Sequence, residues 1–335
     1  MRIAIVALEG SLPSAVNGFC DTLWIARQVM ASRPDYAERA ASTPLDTQIV
    51  SADGQAVRDA QGRWLHVDGD FAEAAQSDIV LIGGMALGSD RFPLHASAIT
   101  PAAQWIKKMH HQGATVGAAC AGGLVLGEAG LLDRRRCTTT WWLFPTLRER
   151  YPHARPVWGK TLEQQDNVIT TGGPLSWTVL TLHLLQKTLG ADITRLIADM
   201  AVADAQPLSQ RLYAPPGFIN TQHPLLMRAE EIIRYQNPGI TAEQLATALH
   251  TSERTLHRKI KTLTGESPKT FITRVRIEGA CIQLENPAVS IRKVAADCGY
   301  SDETSFRKAF NQLMDMTPLR YRQWIAARAL SEDKL

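Results

Sequence analysis

Three clusters of side chains in this chain have types and spacings suited to chemistry. Arg254, Arg258 and Lys261 share one helical face, flanked by Thr255 and His257. Thr304, Lys308 and Asn311 share another, flanked by Ser305 and Arg307. Arg offers paired N–H donors to guanine, Asn pairs likewise with adenine, and Ser or Thr reaches several base edges. A charged helix face is otherwise just a solvated face, so these two sets gain meaning only from their repetition. The third cluster is TVGAACAGGLVLG (115–127), with Cys120 at an abrupt strand-to-helix corner. Small neighbours, Ala121 among them, permit so tight an elbow, and the helix N-terminus behind it favours a thiolate. Gly83 and Gly84 end another strand and could present backbone N–H groups to an anion. The plainer reading of Cys120 is a small buried residue in a turn.

The first two clusters need a scaffold that is used twice. Leu256, Ile260 and Leu263 mark the inward side of a helix at i, i+4, i+7. Phe306, Phe310 and Leu313 repeat that spacing, each 50 positions after its counterpart. Ser252 becomes Asp302, so both helices start with a capping residue. Pro268 becomes Pro318, and Phe271 becomes Tyr321. A fixed offset of this kind marks one supersecondary unit used twice. Thr241 and Gln244 form a capping-box pattern that opens a shorter helix, with Leu245, Ala246 and Leu249 inward. Ser290 opens its counterpart, with Val294, Ala295 and Cys298 inward. His250 and Thr251 break the first pair, and Gly299 turns the second, since Gly tolerates positive φ. A short helix, a tight turn and a longer amphipathic helix form the arrangement that lays the second helix in a DNA major groove.

The third cluster sits in a stretch, residues 1–190, that alternates strand and helix patterns. Strands are expected at 2–8, 47–51, 78–82, 115–119 and 168–171. Helices are expected at 16–30, 101–111 (with Pro101 at its start), 122–129 and 176–189. That alternation predicts an α/β domain, a flavodoxin-like parallel sheet with helices on both faces, and ligands beyond the carboxyl ends of its strands. The C-terminal region is expected to be all-α, two helix–turn–helix units joined by a linker helix.

At this point the residues carry a resemblance. Residues 226–325 resemble the DNA-binding domain of AraC-type transcription regulators. The matching stretches are SERTLHRKIKTLTGESP (252–268), KTFITRVRIEGACIQL (269–284) and SIRKVAADCGYSDETSFRKAFNQLMDMTP (290–318). The resemblance implies a linker helix that sets two recognition helices into successive major grooves of a double-stranded operator. Residues 1–190 resemble the PfpI-like domain of the class I glutamine amidotransferase superfamily. More closely, they resemble the sensor half of GlxA-type AraC regulators. By that resemblance Cys120 falls on the nucleophile-elbow Cys. Asp21, in NGFCDTLW (17–24), falls where relatives carry an acidic residue beside that Cys. Thr140, in CTTTWW (137–142), falls where they carry His.

A Cys nucleophile needs a base or an orienting partner, and Thr140 is not one at neutral pH. His110, His111 and His183 stand elsewhere, more suited to helix surfaces or polar contacts. Of Trp141 and Trp142, one reads as core and the other can line a pocket. The candidate ligand pocket is therefore Asp21, Gly83, Gly84, Cys120, Ala121, Thr140 and Trp141, with no catalytic residue assigned.

The expected layout is a sensor domain at 1–190, a helix and Pro-rich linker at 191–225, a DNA-binding domain at 226–325 and a tail at 326–335. Pro207, Pro215, Pro216 and Pro224 mark the linker, and residues 211–216 show no chemistry of their own.

Composition bounds the function. A chain of 335 residues with 45% hydrophobic content holds two or three full-sized cores. Residues 226–335 carry 17 Lys and Arg against 13 Asp and Glu, a balance of +4, in a chain of net charge +3. That bias is too weak for a general nucleoid coater but suits cations placed on chosen faces. The five cysteines are widely spaced and odd in number, which supports neither a zinc site nor a disulfide framework. The start of the chain is too soon charged for a secretory signal, and no apolar run reaches spanning length. The expectation is a cytoplasmic, homodimeric, ligand-responsive transcription regulator without cofactor, metal or turnover, sensing a small metabolite, by resemblance a nitrogenous one. The alternative is a Cys-nucleophile amidase- or hydrolase-like enzyme fused to a DNA-binding module, which the missing His disfavours.

Overall fold

The computed structural model describes residues 1–204, 208–215, 217–218 and 223–332. Pro207 and Pro216 of the expected linker and the last three residues of the tail lie outside the described residues. Contacts divide the chain into two compact units, Met1–Gln210 and Arg211–Leu335.

In the first unit a seven-stranded sheet is built from β1 (Arg2–Val6), β2 (Asp46–Ser51), β3 (Gly69–Asp70), β4 (Ile79–Ile82), β5 (Thr115–Ala119), β6 (Leu162–Gln165) and β7 (Val168–Thr171). The order is β6-β7-β5-β4-β1-β2-β3, with every pairing parallel except β6 against β7. The run RIAIV is apolar on both sides because both faces are covered. Ile3 and Ile5 point into one core with Ile79, Leu81 and Ile169. Ala4 and Val6 point into the other with Val80, Ile82, Val116 and Val168. The first core lies under α1 (Pro13–Ala31), and the second under α2 (Ala96–His111) and α3 (Gly122–Glu128). Further on, α4 (Trp177–Leu189) and α5 (Ala191–Met200) close over the α1 side. The expected α/β architecture is present, with one antiparallel edge strand that alternation alone did not disclose.

Two boundaries differ from expectation. The helix expected to open at Pro101 starts at Ala96, and Pro101 lies inside it. As the sixth residue of the helix, Pro101 lies past the four N–H groups that lack a partner and so removes one intrahelical bond. The apolar set Ile99, Ala102, Ala103, Trp105, Ile106 and Met109 is buried, and this outweighs the one lost bond. In addition, α5, which begins the stretch expected to connect the domains, packs its Ile193 and Ile197 into the first unit's core.

The second unit consists of α6 (Pro224–Glu231), α7 (Ala242–Ala248), α8 (Glu253–Thr264), α9 (Pro268–Leu284), α10 (Ile291–Asp297), α11 (Glu303–Met314) and α12 (Pro318–Glu332). The 50-residue repeat is a structural repeat. Leu256 and Ile260, like Phe306 and Phe310, are fully buried. Ser252 and Asp302 cap α8 and α11 by accepting from the N–H groups of Thr255 and Ser305. The offset extends to the C-termini, where Gly265 and Asp315 both adopt left-handed backbone conformations. The capping box at Thr241 and Gln244 is formed in both directions. Two separate apolar clusters result. One holds Leu245, Leu256, Ile260, Phe271 and Val275, and the other holds Ile277, Leu284, Val294, Phe306 and Phe310. Helix α9 contributes to both.

Gly299 has φ +79°, and a Cβ built there would lie 2.2 Å from the Pro238 carbonyl oxygen. Its counterpart His250 takes the same left-handed turn with a side chain, at φ +51°. Gly299→Ala should therefore cost about 1–2 kcal/mol for the backbone alone, and more for the blocked approach to Pro238. Hydrogen exchange should show protection lost in α10 and α11; unchanged protection would contradict this account of the turn.

Candidate nucleic-acid interface and sensor corner

With Leu256 and Ile260 locked inward, α8 turns Arg254, His257, Arg258 and Lys261 to solvent, and Thr255 is half-buried. With Phe306 and Phe310 inward, α11 exposes Thr304, Ser305, Arg307, Lys308 and Asn311. All ten residues read from the sequence thus lie on the outer sides or flanks of the two recognition helices. They are not equally free. Arg307 is held by Glu303 one turn earlier, with Nε 2.7 Å from Oε1. Lys261 Nζ donates to the Gly265 carbonyl at 3.0 Å and caps its own helix. Among the described residues, Arg254, Arg258 and Lys308 show no ion-pair partner. They are therefore the cations whose charge is available to a polyanion at least cost.

Between the two helix pairs lies a buried ionic cluster that the sequence did not disclose. Arg274, in the middle of α9, is wholly enclosed. Its Nε sits 3.0 Å from Glu266 Oε2, and its Nη1 sits 2.9 Å from Glu278 Oε1. Burial opposes its charge, but the two carboxylates outweigh burial and raise its pKa. Glu278 Oε2 also accepts from Arg234 Nη2 at 3.2 Å and from the Gly217 N–H at 3.0 Å. Arg211 joins the cluster. Burial lowers its pKa, while the fields of Glu266, Glu278 and Asp315 oppose that shift. The segment expected at 211–216, which carried no chemistry as sequence, therefore begins with a half-buried cation.

In the first unit, Cys120 lies at the carboxyl end of β5 with φ +54°, the strained elbow expected from its small neighbours. Its N–H donates to Thr171 O at 2.8 Å, and its carbonyl accepts from Thr139 Oγ1 at 3.2 Å. Gly84 is adjacent, and a Cβ there would lie 3.8 Å from the Cys120 sulfur. Gly83 serves close packing, since a Cβ there would lie 2.5 Å from that of Ala15 on α1. Ala121 and Thr140 are buried beside this corner, and Trp141 is half-buried. Trp142 packs on the core.

Two expectations are corrected here. Asp21 is exposed on the outer side of α1, because Ala15, Phe19 and Leu23 take the inward positions. Cys120 is only 3% exposed. Burial pushes its thiol up to about 11, with the Ala121 N–H opposing. The thiol is therefore neither accessible nor partly ionised, and the cost of desolvating a thiolate exceeds what the seven-residue α3 returns. His183 is also engaged elsewhere, 2.7 Å from Gln164 Oε1. His110 lies near Arg135 and Asp166, with its pKa lowered by burial and by Arg135.

Beside that corner sits a residue the sequence gave no reason to single out. Gln210 is buried, and its carboxamide reaches Thr139, Trp141 and Lys160. No local periodicity could have revealed contacts of this sequence separation.

Comparisons with known proteins follow the same division. Residues 35–187 match the DJ-1/PfpI family, and residues 245–323 match a helix-turn-helix domain family. The HTH-type transcriptional regulator CdhR of Pseudomonas aeruginosa is 26% identical over 285 residues, 84% of this chain and 82% of that protein. GbdR, an HTH-type transcriptional regulator of the same species, is 25% identical over 82% of this chain and 74% of its own length. GlxA of Rhizobium meliloti, also an HTH-type transcriptional regulator, is 26% identical over 64% of this chain and 66% of its own length. The chain belongs to the GlxA-type AraC regulators. The fold of the first unit is shared with the crystal structure of a putative transcriptional regulator protein from Vibrio parahaemolyticus, with TM-score 0.51 at 18% identity over 60% of this chain and 98% of that one. Among the described residues of this regulator, no helix is long and apolar enough to cross a membrane.

The state of Cys120 has a chemical signature. The folded chain keeps a proton that an unfolded cysteine gives up near pH 8.5 or so. Stability from this group is thus fully present below about pH 8.5 and falls as pH rises toward about 11. At pH 8 or so, alkylation of Cys120 by iodoacetamide should be on the order of 100-fold slower in the native regulator than after unfolding. Equal rates would mean that the corner opens to solvent.

Proposed function

We propose that this protein is a transcription regulator that binds a double-stranded operator through both helix–turn–helix units and senses a small metabolite in its DJ-1/PfpI domain without turning it over. The observation that carries the reading is the repeated unit. Two capped recognition helices, each locked inward by buried apolar residues, expose polar side chains able to read base edges. Arg254, Thr255, His257, Arg258 and Lys261 serve one half of the site. Thr304, Ser305, Arg307, Lys308 and Asn311 serve the other. Arg254, Arg258 and Lys308 carry most of the affinity, because Lys261 and Arg307 must first give up internal partners. The sensor acts at the carboxyl ends of the strands, around Gly83, Gly84, Cys120, Ala121, Thr140 and Trp141. Asp21 has no part in it. The absence of turnover is supported by a thiol held neutral by burial and by Thr140 at the position of the expected base. A nitrogenous effector, a homodimer and a cytoplasmic location complete the reading.

On the duplex recovered by genome-wide binding-site mapping, Arg258→Ala should cost about 1–3 kcal/mol and relax base preference at one position. Equal loss on random DNA would reduce Arg258 to a phosphate contact. The two half-sites should lie about 10–10.5 base pairs apart. Inserting roughly five base pairs, about half a helical turn, should abolish most specific binding. Undiminished binding would mean that only one unit engages DNA.

A further inference from the structure

Gln210 ends the first unit and Arg211 begins the second, and each side chain is anchored in its own unit. The Gln210 Nε2 donates to Thr139 O at 2.8 Å and to Lys160 O at 2.7 Å. Its Oε1 accepts from the Trp141 N–H at 2.9 Å. The orientation of the carboxamide is forced, since two carbonyls face the nitrogen and one N–H faces the oxygen. Two further bonds hold the same stretch, with Gln210 N donating to Gly159 O at 2.9 Å and the Thr161 hydroxyl donating to Leu208 O at 2.6 Å. A Cβ on Gly172 would collide with this carboxamide, so the strand end is shaped to admit it. The position is at the sensor corner: Gly172 follows Thr171, which accepts from the Cys120 N–H, and Thr139 bonds the Cys120 carbonyl. One residue later, Arg211 Nη1 donates to Leu313 O at 3.4 Å, and Glu266, Glu278 and Arg274 are the charges that act on it.

We infer that the three groups around the Gln210 carboxamide form a ligand cradle, which Gln210 fills from within the chain. The class of effector follows from the cradle. It takes a planar head group with paired N–H donors beside an acceptor oxygen, a carboxamide or a urea. Such a molecule displaces Gln210, releases the neighbouring Arg211 and so loosens the cluster on α9 that joins the two helix–turn–helix units. This rests on the sensing role proposed above and gives that role a site, a ligand chemistry and a route along the chain.

Chemical complementation tests it on the full-length protein without DNA. Gln210→Gly should lower the melting temperature of the sensor unit, and propanamide, which restores the missing carboxamide, should raise it again saturably. Propanoate should not, because it brings no N–H donors. Wild type should respond to propanamide only at far higher concentration, since its cradle is filled. If propanamide shifts neither protein, shifts both alike, or is matched by propanoate, there is no cradle. Should Gln210→Gly fail to fold, Gln210→Glu takes its place. Its carboxylate would face two carbonyls at pH 8, and its melting deficit should shrink toward pH 5 as the acid regains a donor. A deficit independent of pH would overturn the proposal. The route to DNA is read separately, on the mapped duplex. Gln210→Gly should change specific affinity several-fold, and propanamide should reverse that change. Specific binding unaltered by Gln210→Gly would remove the route. Propanamide rescue in a chain that binds no specific duplex would remove the DNA reading instead and leave the cradle standing.

Discussion

The Arg274 guanidinium, fully enclosed and held between Glu266 and Glu278, is the charge around which the DNA-binding unit is arranged. A buried charge is tolerable only when its partners are placed well, and removing one partner commonly costs about 3–5 kcal/mol. Glu278 must therefore keep its position on α9, and that position also receives Arg234 and the Gly217 N–H. Apolar contacts on either side are non-directional and would accept small rotations of one helix pair against the other. The ionic cluster does not, because its distances and angles hold α9, which contributes to both apolar clusters, against Glu266 and Arg234.

The fold was legible in the sequence wherever its causes are local. Caps at Ser252, Asp302 and Thr241 depend on residues three positions apart, and the 50-residue repeat needs no tertiary knowledge. The parallel sheet followed from the alternation of strand and helix patterns along residues 1–190. What was hidden depends on distance. Arg274 and Glu278, four apart on a helix, look like an ordinary solvated pair, and nothing local shows that Glu266 and Arg234 also close on them. Gln210 lies 69 residues from Trp141, with nothing in its neighbourhood to mark it.

The Cys120 corner shows how a correct local inference can fail in context. The elbow and its small neighbours were readable, and the positive φ at Cys120 is how the backbone makes that corner. The expected thiolate was not found, because a short helix returns less electrostatic stabilisation than burial removes. Asp21 failed differently. The resemblance placed an acid near the Cys, but the apolar rhythm of α1 assigns that position to solvent. Residue pattern, being a physical constraint on this chain, outranks a position inherited from relatives.

The two apolar clusters of the DNA-binding unit are separate, and among the described helices only α9 contributes heavily to both. Substitutions in one cluster should combine additively with those in the other, as changes at sites without shared neighbours usually do. With the proposed division of the operator between the two units, either recognition helix can therefore drift toward a new half-site while its twin keeps the old one. An operator with unlike halves is the natural product of such a design, and a lineage of these regulators can move between promoters one half-site at a time.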